Sequence, residues 1–91
     1  MQNCDFLICY DISDEKRLRK IAKMLEKVSI RIQKSVFFYK NASKKSLKNL
    51  LVDLNNLIDQ EDDDVRIYQI DIYKSMHFNN GISLVEPNIL I

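Results

Sequence analysis

The 91-residue chain contains few of the residues on which several classes of functional site depend. A single glycine leaves no glycine-rich loop of the kind that cradles phosphates. The two cysteines, Cys4 and Cys9, form no CxxC pair and no Cys/His cluster, which argues against a zinc site. The one histidine, His77, is not part of a Ser/His/Asp or Cys/His arrangement. Zinc sites, nucleophilic triads and phosphate loops are therefore not expected.

Long apolar runs are also missing from the chain. No stretch approaches the roughly 20 consecutive apolar residues that a membrane-spanning helix needs, so we expect no membrane partner. The chain begins with a predicted strand and no basic leader, which argues against a signal peptide. Cys4 and Cys9 are five positions apart on that strand and point to opposite faces, so they cannot pair with each other. Two unpaired thiols suit a reducing compartment, and we predict a cytoplasmic protein.

The pattern of apolar residues predicts one α+β domain over residues 1–91. Residues 4–10 form a near-continuous apolar run, which is typical of a central strand covered on both faces. Apolar residues recur at helical spacing after Ser13 and again after Ser43, the two predicted N-caps. Residues 30–40 predict one long strand or two short ones, and 65–73 predict the next strand. This order matches a ferredoxin-like βαββαβ sandwich, with two helices on one face of an antiparallel sheet.

The C-terminal segment, residues 74–91, has a weaker pattern. It is polar at first, with the turn dipeptide Asn80-Gly81, and then contains two short apolar runs divided by Glu86-Pro87. Such a tail has little to pack against inside one small domain. We predict that it forms short strands used in dimerisation, added to the edge of its own sheet or of another subunit's sheet.

The charges are strongly segregated although the net charge is only +1. Twelve of the 14 lysines and arginines lie between Lys16 and Lys48, where Glu26 is the one acidic residue. The acidic residues that balance them follow from Asp53 to Asp71. A solvated helix surface is the ordinary explanation of such a face, but solvated faces usually alternate the two signs. The pattern favours binding of a polyanion, with strong dependence on salt.

Asp11 lies where the predicted first strand ends and the cationic segment begins. An aspartate at a strand end often only faces solvent or caps a helix. However, a carboxylate held rigidly beside positive charge also suits a divalent metal next to a phosphate. Mg²⁺ usually takes one or two carboxylates and keeps several waters, so a second carboxylate from a symmetric partner would complete the set. The apolar and aromatic residues 36–39 suit a core or a dimer interface better than a stacking surface for bases.

Two ordered blocks of the sequence together resemble a known family. Residues 10–20 read YDISDEKRLRK and residues 31–37 read RIQKSVF. These blocks, their spacing and the strand at residues 65–68 resemble the Cas-two family, the small CRISPR-associated proteins of the spacer-acquisition module. The resemblance covers roughly the first 73 residues.

The resemblance implies a ferredoxin-like homodimer whose C-terminal segment helps to join the subunits. It implies that Asp11 is the metal ligand and catalytic residue, with Tyr10 beside it, and that the metal is Mg²⁺ or Mn²⁺. The expected activity is endonuclease cleavage of single-stranded RNA or duplex DNA, and the expected partner is the Cas-one integrase. Taken with the basic face, it predicts six nucleic-acid contacts: Lys16, Arg17, Arg19, Lys20, Arg31 and Phe37. Two alternatives stay open, a purely architectural DNA clamp and a ferredoxin-like ribonuclease toxin.

Overall fold

The computed structural model describes residues 3–71, 76–78 and 82–84. Within these residues, strands and helices alternate in the predicted order. Their bounds are β1 Cys4–Asp11, α1 Glu15–Glu26, β2 Ile30–Gln33, β3 Val36–Ala42, α2 Lys44–Leu57, β4 Asp64–Ile70, β5 Met76–Phe78 and β6 Ile82–Leu84. Neither described helix is long and apolar enough to cross a membrane.

The first four strands form one antiparallel sheet in the order β2-β3-β1-β4, which is the ferredoxin-like arrangement. β1 is a central strand, as its apolar run predicts. Strands β5 and β6 pair with each other in a separate two-stranded sheet. The rest of the predicted tail, residues 74–75, 79–81 and 85–91, lies outside the described residues, as do residues 72–73 of the strand predicted over 65–73.

The hydrophobic core lies between one face of the sheet and the two helices. Alternate residues of β1 and β3 point into it and meet the apolar stripes of α1 and α2. The buried set is Phe6, Ile8, Tyr10, Ile12, Ile21, Ala22, Leu25, Phe37, Tyr39, Ala42, Leu50 and Leu54. Leu7 and Cys9 point to the opposite face, where they are half-buried. In the described part of one chain, the second face of β1 is therefore covered less fully than the face that meets the helices.

The helix starts show one difference from the sequence prediction. Ser43 caps α2 as predicted, because its hydroxyl oxygen accepts a hydrogen bond from the backbone N–H of Ser46 at 3.0 Å. The cap of α1 is Asp14, whose carboxylate accepts from the backbone N–H of Arg17 at 2.9 Å. That hydrogen bond lowers the pKa of Asp14 below its ordinary value. Ser13, the predicted cap, makes a different set of contacts, described below.

Residues 30–40 form two strands, β2 and β3, and the second strand runs further than expected. The sequence Asn41-Ala42-Ser43 predicts a break, whereas β3 continues to Ala42. Asn41 has a φ of 56°, in the left-handed region that asparagine tolerates better than most residues. Its backbone N–H donates to a carboxylate oxygen of Asp5 at 2.7 Å. This contact holds the irregular end of β3 against β1, where the register of the pair shifts.

Candidate metal and nucleic-acid site

Asp11 is the last residue of β1 and is exposed on the face of the sheet away from the helices. In the antiparallel register of β1 and β4 it lies directly opposite Asp64, the first residue of β4. Directly opposite residues have Cβ atoms about 5 Å apart and share one face of the sheet. Two carboxylates, from the end of one strand and the start of the next, therefore face solvent together.

This pair of carboxylates suits a cation. Like charges directly opposite each other destabilise a sheet unless something neutralises them. Asp64 has a partner, because its carboxylate accepts from the Nε–H of Arg66 at 2.9 Å. No described residue donates a hydrogen bond to the Asp11 carboxylate. The described side chains contain no group of three or more metal-ligating residues, so Asp11 and Asp64 stand as a pair. Two carboxylates with room for waters suit Mg²⁺ or Mn²⁺.

Tyr10 was predicted to act beside Asp11, and the structure places its side chain on the opposite face of the strand. Successive residues of a strand point to opposite faces, so Tyr10 points away from Asp11 into the core. Its ring stacks against Phe37 with centroids 6.1 Å apart. Its hydroxyl group donates to the backbone carbonyl of Lys34 at a distance of 3.5 Å. Tyr10 therefore supports the sheet behind Asp11 and does not face the carboxylates.

Arg17, a predicted phosphate contact, forms a two-pronged ion pair inside the chain. Its Nε–H and Nη2–H groups donate to the two carboxylate oxygens of Asp63 at 2.8 and 3.1 Å. The Asp63 side chain is 0% exposed and that of Arg17 is 28% exposed. The hydrogen bonds from Arg17 hold the pKa of Asp63 far below its ordinary value, and the same pair raises the pKa of Arg17. The guanidinium group is thus already bound to a carboxylate.

A shallow groove of about 470 Å³ lies between the outer face of α1 and β2. Most of the side chains that line it are cationic, namely Lys16, Arg19, Lys20, Lys23 and Arg31. The other two lining residues are Ala22 and Glu26. Two of the arginines make long, exposed ion pairs, Arg19 with Glu15 at 3.9 Å and Arg31 with Glu26 at 3.7 Å. Such pairs are weak, so a phosphate can compete for both arginines. Four of the predicted contacts, Lys16, Arg19, Lys20 and Arg31, therefore line one surface.

Phe37 was also predicted to contact nucleic acid, and its position argues for an indirect role. The side chain is 0% exposed, so a base cannot stack on it without the core opening. The guanidinium carbon of Arg31 lies 5.1 Å from the ring centroid, a cation–π distance. Phe37 supports Arg31 from the core side, and Arg31 is the residue that faces the groove.

Comparison with known proteins identifies the family to which this chain belongs. The family profile for CRISPR associated protein Cas2 matches residues 5–76, a range that includes Asp11, the groove and Asp63. The chain belongs to the Cas2 family. This confirms the Cas-two resemblance of the two sequence blocks.

Two relatives and one solved structure agree with this membership. The CRISPR-associated endoribonuclease Cas2 1 of Nitrosomonas europaea is 38% identical over 66 residues, which are 72% of this chain and 62% of that protein. The chain thus covers less than two thirds of that relative. The CRISPR-associated endonuclease Cas2 of Halalkalibacterium halodurans is 41% identical over 69 residues, covering 70% of this chain and 71% of the relative. A chain of a partial Cas6-RT-Cas1–Cas2 complex superposes with a TM-score of 0.73 and 29% identity, covering 89% of this chain and 88% of that one.

The structure of this Cas2-family chain also reveals residues that the sequence reasoning missed. Asp63 and Asp64 appear in the sequence as part of an acidic turn, yet one is buried at the β1–α1 turn and the other lies opposite Asp11. Lys23 lines the cationic groove although it was not named as a contact. A helical wheel of α1 would have found Lys23, which follows Lys16 and Lys20 on one face. No local pattern would have found Asp63.

Proposed function

We propose that the chain acts as a Cas2 subunit in CRISPR spacer acquisition, as a homodimer that binds nucleic acid and holds a divalent metal at Asp11. The observation that carries the proposal is the family match over residues 5–76, which contains both the strand-end carboxylate and the cationic groove. The two named relatives are an endoribonuclease and an endonuclease. We therefore propose metal-dependent phosphodiester cleavage of single-stranded RNA or duplex DNA.

The proposed homodimer is supported by the uncovered face of the sheet. One residue from each strand forms an apolar row in direct cross-strand register, running Ile30, Phe38, Leu7, Tyr68. Ile30 is 62% exposed and Tyr68 is 48% exposed at the two ends of this row. Apolar sheet faces are usually buried against another layer. A second copy would cover the row with its own equivalent face. Its Asp11 would then lie at the border of the same interface as the first Asp11.

The metal would contribute to the reaction by lowering the pKa of a bound water and by stabilising charge on a phosphate oxygen. The protein residues have simpler roles. Asp11 and Asp64 would hold the cation, and the cations of the groove would bind the phosphates on either side of the cleaved bond. Because the groove contacts phosphates and not base edges, binding should show little sequence preference.

The test compares Asp11→Asn with a matched control, Tyr10→Phe, which alters the adjacent residue on the opposite face. We expect Asp11→Asn to remove Mn²⁺-dependent cleavage and to lower Mn²⁺ affinity at least 10-fold, because a carboxylate that binds the metal directly is lost. Affinity for duplex DNA without metal should stay within about twofold. Tyr10→Phe should leave all three quantities near wild type. Cleavage by Asp11→Asn at the wild-type rate would refute the catalytic assignment.

A second function, an architectural clamp without catalysis, is favoured by one observation. The similar chain in the partial Cas6-RT-Cas1–Cas2 complex belongs to an assembly with Cas1. In that role the Cas2 dimer would bridge Cas1 and hold the incoming DNA. Spacer integration with the Cas1 partner separates the two functions. Unchanged integration by Asp11→Asn supports the clamp, whereas loss of integration supports chemistry at Asp11.

A further inference from the structure

The side chain of Asp63 has the most hydrogen bonds among the described residues. Its two carboxylate oxygens accept five, from Ser13 N–H, Ser13 Oγ–H, Arg17 Nε–H, Arg17 Nη2–H and Asp59 N–H, at 2.8 to 3.2 Å. Ser13 Oγ also accepts from Arg17 Nη2–H at 3.2 Å, which closes the network. Every one of these partners belongs to the turn between β1 and α1, to α1 itself or to the loop before β4.

The position of Asp63 joins the two strand ends that carry the exposed carboxylates. Asp63 immediately precedes Asp64, and Ser13 follows Asp11 by two residues. The hydrogen bonds between Asp63 and Ser13 therefore close a short bridge across the ends of β1 and β4. The ion pair with Arg17 fixes the first turn of α1 to the same bridge. The carboxylate pair and the start of the cationic helix are thus held by one buried side chain.

We propose that Asp63 and Arg17 form a positioning clamp that fixes the Asp11–Asp64 pair for metal binding, and that Arg17 is a positioning residue and not a phosphate contact. This inference rests on the proposed metal site at Asp11. Neither residue belongs to the hydrophobic core, which lies between the sheet and the two helices. The ion pair is partly buried and two-pronged, so it adds geometric specificity, whereas an ion pair of this kind is weak evidence for stability.

The size of the expected effect follows from how metal ligands are held. Residues that orient metal ligands through hydrogen bonds typically change metal affinity 10- to 100-fold when they are replaced. Asp63→Asn keeps the shape of the side chain but places an NH₂ group against an arginine donor. We expect it to lower Mn²⁺ affinity about 10- to 100-fold and the maximal cleavage rate by a similar factor. The KM for duplex DNA should change less than about twofold, because the groove cations are untouched.

The matched control is Asp59→Asn, in the same loop. The Asp59 carboxylate accepts from the backbone N–H groups of Glu61 and Asp62 at 2.9 and 3.4 Å, so it orders the loop. Its backbone N–H, which donates to Asp63, is unchanged by the substitution. Two readouts are independent of cleavage. One is titration with Mn²⁺ alone, and the other is amide hydrogen exchange at Ser13. Exchange at Ser13 should rise in Asp63→Asn beyond any change in the free energy of unfolding, and it should not do so in Asp59→Asn.

The outcomes separate the positioning clamp of Asp63 and Arg17 from the proposed metal site. Unchanged Mn²⁺ affinity in Asp63→Asn, or equal losses of affinity in the Asp63 and Asp59 variants, would refute the positioning clamp. If Asp63→Asn does not fold, Ser13→Ala removes the two hydroxyl contacts and leaves the ion pair, and it should give a smaller loss in the same direction. Arg17→Lys keeps the positive charge but lacks the planar fork, so we expect its metal affinity to fall below that of the wild type as well. A wild-type protein that binds no Mn²⁺ would refute the metal site, while exchange at Ser13 would still decide whether the bridge exists.

Discussion

The cationic groove predicts how binding of duplex DNA depends on salt. Five cations line it: Lys16, Arg19, Lys20, Lys23 and Arg31. Each phosphate that a cation neutralises adds about 0.9 to the slope of log affinity against log salt. Among the described residues the three lysines have no ion pair, whereas the two arginines already have a nearby glutamate and release fewer counterions on binding.

These contacts set the expected slope between two limits. Three engaged lysines give a slope of about −2.7 for each protomer face, and all five cations give about −4.5. Raising the salt from about 50 to 200 mM would then weaken binding by roughly 40-fold at the first limit and roughly 500-fold at the second. A dimer that uses both faces would show a larger slope. The difference between single variants is therefore a sharper test than the absolute value.

The experiment measures binding of a labelled duplex by fluorescence anisotropy across a series of KCl concentrations. Lys20→Ala should reduce the slope by about 0.9 for each engaged face. Lys48→Ala, an exposed lysine on α2 outside the groove, is the matched control and should leave the slope unchanged. Arg17→Ala should also leave it unchanged, because the Arg17 guanidinium is bound to Asp63. Equal slopes for the two lysine variants, or a loss in Arg17→Ala as large as in Lys20→Ala, would refute this reasoning.

Three further predictions concern stability and assembly. The pKa of Asp63 is depressed in the folded state, so its stabilising effect is complete above the ordinary value of 3.8 and is lost as the pH falls below it. The stability difference between wild type and Asp63→Asn in urea denaturation should therefore be constant near neutral pH and shrink below about pH 4. Phe37→Ala should cost about 3–5 kcal/mol in the same assay, because the ring is fully buried; a cost below about 1 kcal/mol would contradict its place in the core. Tyr68→Glu should shift sedimentation from dimer to monomer with little loss of monomer stability, since Tyr68 is half-exposed in one chain, and an unchanged dimer would exclude this face.

Much of the fold could be predicted because its signals are local. The apolar run of residues 4–10 and the helical spacing of the two amphipathic segments are each contained within one element, and they predicted β1, α1 and α2. The division of residues 30–40 into β2 and β3 was left open, because both strands have the same β-branched and aromatic composition. The connecting residues, Lys34 and Ser35, include no glycine or asparagine to mark a turn.

The site could be predicted only where its signals are local. Asp11 could be named as a candidate because the strand end and the cations that follow it are adjacent in sequence. Tyr10, which was named with Asp11, points into the core because adjacent residues of a strand face opposite sides of the sheet. The contacts of Asp63 could not be predicted, since its partners Arg17 and Ser13 are 46 and 50 residues away in the sequence. Because the sequence does not reveal this long-range pair, Arg17 resembled a free surface cation.

The face of the sheet that carries Asp11 also carries the apolar row, and this links the two proposed properties of the protein. Leu7 of that row and Asp11 are four residues apart on β1, about 13 Å along one strand. A face-to-face dimer through the row would place the Asp11 and Asp64 carboxylates of both copies at its border. The single chain has only its own two carboxylates there. Removing the dimer should therefore weaken metal binding even though no metal ligand has changed. Metal affinity in the Tyr68 variant thus tests whether the site is completed by the second copy.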